Sequence, residues 1–232
     1  MRHTIIPALH ICVPMAGSLA FLLYYLARPW NGAVQLSGFV QIVGMAFPLL
    51  VSLVVSRSVG LEEANHYQVF LGGNAGRISS LLVKCIVLQT AGLGAVILGV
   101  GSFALGEIFL LGNYDVPGVT YFGSAAGLWI GSLTLYPIHF FFSMQFSKSV
   151  SVAMGTVQSV LAGLLITGLG DGVWQFIPSS WSIRLTSMAL VNTVSAWQEA
   201  NICLLISFVI CVIIFIWFRL RSDDVISAHS QD

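Results

Sequence analysis

Six runs of about twenty apolar residues constrain this chain more than any other feature. They cover roughly residues 5–26, 34–55, 81–106, 122–142, 150–169 and 202–218. At 1.5 Å per residue each run reaches across a hydrocarbon core of about 30 Å, the last one barely. Backbone groups in lipid must bond within their own segment, so the runs are expected to be helices. The short alternating strands of a membrane β-barrel are not seen. Hydrophobic residues make up 57% of the chain and charged residues 8%. A soluble domain carries about 25% charged residues, so soluble and disordered chains are both excluded. The first run is too long for the apolar part of a signal peptide, and residues 26–30 do not read as a cleavage site. It is expected to remain as a membrane helix.

Charge placement orients the spans. With the N-terminus in the cytoplasm, Arg2, Arg57, Arg77, Lys84, Lys148, Arg219 and Arg221 fall inside, and Arg28 and Arg184 outside. That asymmetry favours both termini in the cytoplasm. The formal net charge is +0, with no basic tract, which argues against nucleic-acid binding. Cys12, Cys85, Cys203 and Cys211 lie in apolar runs with no metal-ligand spacing and read as small core residues.

Catalytic signatures are missing. There is no HExxH and no Gly-x-Ser-x-Gly. Glu62-Glu63 begins like the EExxxR motif of intramembrane proteases, but Tyr67 stands where the Arg belongs. His10 and His139 are isolated within their spans and read as packed residues. Glu107 is the one acidic residue inside a span, and its place near the outer end suggests an interfacial position. Gly123, Gly127 and Gly131 recur every fourth residue in span four. Such a stripe lets backbones approach closely, either within the chain or against a second membrane subunit.

Two connections stand out. The inner one, about 57–80, contains Glu62, Glu63, Tyr67, Phe70 and Leu71. Residues 61–71 are expected to form a short helix, with the two glutamates in its first turn and Gly72-Gly73 as its stop. Tyr67, Phe70 and Leu71 would share one apolar face, suited either to the membrane surface or to a groove on a soluble partner. The outer connection, about 170–199, holds Asp171, Trp174, Trp181, Arg184 and Trp197. Its aromatic content suggests a short helix or hairpin at the outer headgroups. Trp174, Trp181 and Trp197 would then form an interfacial belt or offer faces to a cation.

At the inner connection the chain resembles an ABC-2-type permease. The matching residues are Glu62 or Glu63, Gly72 or Gly73, Arg77-Ile78, and Lys84 opening span three. Within that class it is similar to the lantibiotic-immunity permeases of the LanFEG type. The topology matches throughout, and the motif covers about 25 residues, from Glu62 to Lys84. Gly76 stands where the family usually has Pro before the Arg, and there is no room before span one for an amphipathic connecting helix.

The resemblance implies an all-α membrane protein: a single six-helix permease domain over 1–232, of ABC-2 or type V exporter architecture. It implies an inner loop acting as a coupling helix on a cytosolic ABC ATPase, through Glu62, Glu63, Tyr67, Phe70 and Leu71. The chain has no Walker A motif, so ATP and Mg²⁺ would sit on that partner, with no cofactor or metal on this chain. A second, non-identical permease subunit is implied, packed through Gly123, Gly127 and Gly131. The implied cargo is a cationic lanthionine peptide, drawn from the lipid of a bacterial cytoplasmic membrane. Trp174, Trp181 and Asp171 would contact it. The alternatives are an ABC-2 permease for another peptide, drug or lipid, and a membrane-embedded enzyme or assembly protein without transport.

Overall fold

The computed structural model describes residues 5–28, 30–66, 77–191 and 193–229. Eight α-helices occur among them, and no strand. They are α1 Ile5–Ala27, α2 Gly32–Ala64, α3 Arg77–Phe109, α4 Gly118–Ser132, α5 Leu135–Gln145, α6 Lys148–Leu165, α7 Trp181–Val191 and α8 Thr193–His229. α4 and α5 together make one crossing, so six segments are long and apolar enough to span a membrane. An even number of crossings puts residues 5 and 229 at one end of the bundle, the terminal end.

The outside of the bundle is as apolar as the inside. Leu23, Ile97, Leu205 and Phe208 are all more than half exposed. In water such a surface would aggregate; facing lipid it is solvated by acyl chains. Small residues govern the inside. Gly155 of α6 lies against Ser52 and Pro48 of α2, and Gly163 against Met45. Ser18 of α1 donates to the Gly99 carbonyl of α3 at 2.7 Å. Phe39 of α2 stacks on Phe103 of α3 with centroids 4.3 Å apart.

Proline breaks are repaired from neighbouring helices. Pro137 removes the hydrogen bond that the Leu133 carbonyl would have received, which separates α4 from α5. Gln89 of α3 supplies the missing donor to that carbonyl, at 3.0 Å. Next to Pro48, the Leu49 N–H donates to the Ser159 hydroxyl of α6, at 3.1 Å.

Two departures from the sequence expectation matter for function. First, α2 does not stop near residue 55 but runs unbroken to Ala64. It ends where His66 takes a left-handed backbone, φ 51°, so that its N–H reaches the Glu63 carbonyl. Glu62 and Glu63 therefore close α2 and do not open a separate helix. The rest of the expected coupling helix, including Tyr67, Phe70 and Leu71, lies outside the described residues.

Second, the connection after α6 does not lie at the headgroups. It makes three single 3₁₀ turns, Gly168–Gly170, Trp174–Phe176 and Pro178–Ser180, and then α7. Ser182 meets Gly131, about 20 Å along α4 from its first residue at 1.5 Å per residue. Ile183 meets Gly44, about 18 Å along α2. The segment is thus re-entrant, dipping to mid-bundle before α8 begins. Irregular backbone at that depth is stable only when enclosed by protein. Ser179, Ser180, Ser182 and Thr186 are all buried, and the Ser180 and Ser182 hydroxyls donate to backbone carbonyls.

Candidate functional site

The terminal end of α2 is the junction of three helices. Glu62 pairs with Lys84 of α3, and Glu63 with Lys148, the first residue of α6. Carboxylates in the last turn of a helix face the negative end of its dipole, which disfavours them. Lys148 at a helix start is disfavoured for the mirror reason. Pairing across the junction offsets both penalties and ties α2 to its two neighbours. The pairs differ in depth: the Glu62 side chain is 8% exposed and that of Glu63 is 32% exposed. A second oxygen of Glu62 is buried without a partner. Of the expected coupling residues, Glu62 is thus locked inside the chain, while Glu63 is still reachable.

The expected cargo contacts change more. Trp181 is fully buried, and its indole N–H donates to the Gln175 carbonyl at 3.0 Å. Trp174 is buried with it, in a cluster with Leu185, Ala200 and Cys203. Neither ring offers a face to a cation; both hold the re-entrant segment in place. Asp171 is 71% exposed, but its charge is met by Arg184 at 2.9 Å. The same guanidinium donates to the Leu165 and Thr167 carbonyls, at 2.6 and 2.7 Å, and so caps the end of α6. Arg184→Gln is expected to cost about 2 kcal/mol, because charge-assisted bonds to two helix-end carbonyls are lost. Thermal melting of the purified protein would show it; an unchanged midpoint would remove the capping role.

The glycine stripe meets its own chain. A Cβ on Gly127 would press on Leu185 and Thr186, and one on Gly131 would overlap the Ser182 backbone. Gly123 lines a narrow cleft with Ala189, Ala196, Trp197 and Ala200. The stripe is the slot for α7 and the start of α8, and this replaces the reading as a face for a second subunit.

Glu107 lies two residues from the end of α3, as its place in the sequence suggests, but its side chain is fully buried in the protein. Tyr121 of α4 donates to its Oε2 at 2.5 Å, while Oε1 has no partner. The signal is a single acid in an apolar run, but the enclosure comes from the start of α2, 75 residues earlier, and from Tyr121 of the next helix. His139 is likewise sealed, with Nδ1 3.1 Å from the Ser151 hydroxyl. Ser151 is itself fully buried, so the pair is packed between α5 and α6, out of reach of a substrate. Among the described residues no three His, Cys, Asp or Glu side chains gather as metal ligands.

The fold and these sites define an all-helical, multi-pass membrane protein. No protein-family model, curated protein or solved structure matches the chain.

Proposed function

We propose that the chain is the permease subunit of an ABC-2-type exporter that expels a lanthionine peptide from a bacterial cytoplasmic membrane, protecting the producer. The observation that carries this reading is the double ion pair at the end of α2. Force applied to residues 65–76 enters α3 directly at Arg77 and α2 through its last turn. From there it passes to α3 through Glu62–Lys84 and to α6 through Glu63–Lys148. Three helices would move together, as coupling to a nucleotide-driven motor requires. In this reading the terminal end faces the cytoplasm and docks on an ATPase that binds ATP and Mg²⁺. A second permease chain completes the complex. Away from that end, the exposed Asp171, already paired with Arg184, and the half-exposed Trp197 are the side chains left to meet a cationic peptide, now that Trp174 and Trp181 are buried.

Copurification from the native membrane tests the proposal. A soluble ATPase should accompany the chain in a detergent that keeps a control exporter intact; its absence would overturn the exporter reading. Glu63→Ala combined with Phe70→Ala should weaken that association severalfold without unfolding the helices. The Glu63 pair is partly exposed and contributes only about 0–1 kcal/mol to stability. Unchanged copurification and unchanged peptide resistance would remove these two residues from the coupling surface.

A further inference from the structure

A cavity of about 290 Å³ lies between α1, α2 and α3. Pro14 and Gly17, Ala46 and Leu50, Ala95 and Gly99 supply its walls. Small residues hollow out the space, and α1, the least enclosed of the crossings, covers it from one side. Toward the far end it is stopped by Phe21 and Phe39, which meet edge to face at 5.5 Å.

The opposite end of the cavity is different. His10 and Tyr136 line it, the two wall residues with side chains able to hydrogen-bond. Tyr136 is 2% exposed, and no described residue bonds its hydroxyl. The hydroxyl sits in the notch left by Gly92, itself part of the wall. An unbonded hydroxyl on an otherwise apolar wall calls for a partner that enters the cavity. The His10 Nδ1 lies 2.8 Å from the Ile6 carbonyl. With Nδ1–H donating there, Nε2 is an acceptor.

We propose that this cavity binds one long-chain fatty acid. The alkyl chain would lie along α1 toward Phe21, and the carboxyl group would take a hydrogen bond from Tyr136. Two properties select this ligand. The walls offer nothing polar along their length, which suits a single hydrocarbon chain. The polar end lies at Gly92, about 12 Å along α3 beyond Lys84. A neutral carboxyl can be held there by a hydroxyl and an imidazole. A phospholipid would have to drag its charged head past Lys84 into apolar surroundings. The inference stands whether or not the chain is an exporter.

The test uses the full chain in phosphatidylcholine nanodiscs with a diazirine-bearing palmitic acid. Photolabelling should fall on wall residues such as Val43 and Ala95, and unlabelled palmitic acid should compete it away. Tyr136→Phe should raise the competing concentration about five-fold, the scale of one neutral hydrogen bond, without lowering the melting temperature. Ala46→Phe, which fills the cavity, should abolish the competable labelling. If Ala46→Phe does not fold, Tyr136→Phe decides alone. Labelling spread over lipid-facing residues such as Ile97 and Leu205, or unaltered in Tyr136→Phe, would overturn the proposal. So would equal competition by added diacyl phosphatidylcholine, which would make the occupant a lipid tail.

Discussion

Gly131→Val is expected to unseat the re-entrant segment and destabilise the protein by about 3 kcal/mol or more. A Cβ at this position would overlap backbone, the Ser182 N and Cα, and not a side chain that could turn away. Overpacking a well-filled core costs about 1–3 kcal/mol when side chains can adjust, and here the obstacle is the start of a helix. Either α7 moves out of its slot or α4 moves away from it. Both expose the Ser180 and Ser182 hydroxyls and the irregular backbone beside them at mid-bundle. The control is Gly94→Val on α3, where an added Cβ meets nothing within 4 Å. Thermal melting in one detergent compares the two. Equal midpoints would show that α7 does not depend on the glycine slot.

Lys84→Met should be nearly as damaging, for an electrostatic reason. It leaves the Glu62 carboxylate buried in the last turn of α2, with its cation gone and its second oxygen already unpartnered. Removing one member of a buried pair costs about 3–5 kcal/mol, since the remaining charge keeps its desolvation penalty. Adding Glu62→Gln to Lys84→Met should restore much of that loss. A double-mutant cycle on melting midpoints measures the coupling. If the double variant melts no higher than Lys84→Met, the damage lies in lost lysine packing and not in the stranded charge. Lys148→Met, at the more exposed pair, should cost far less.

The spans were legible because hydrocarbon thickness imposes a length, and six apolar runs met it. Their ends were not. α2 runs nine residues beyond its apolar stretch because Arg57, Ser58, Glu62 and Glu63 are all acceptable in a helix once it leaves the hydrocarbon. The break after Ser132 was readable from Pro137, two residues into α5, but the apolar run hid it. Tryptophans 174 and 181 show where composition misleads. In a connection between two spans, an aromatic suggests an interface. Here the slot that buries Trp181 and its neighbours is made by Gly44, Gly127 and Gly131, on two other helices. Glu107 stands out as an acid in an apolar run, but its enclosure rests on contacts to α2 and α4 that no local pattern encodes.

The re-entrant segment also has a consequence for biogenesis. It is short and rich in serine, so the hydropathy that drives helices into a bilayer cannot place it there. Its seat is formed by Gly44, made early in synthesis, by Gly127 and Gly131, made midway, and by Ala200 and Cys203, made after it. The slot is complete only once α8 has been synthesised. Docking of this segment is therefore a late step that converts six inserted helices into one locked body. A chain arrested before α8 would hold five crossings with this segment unlatched, and open to proteases along residues 168–191.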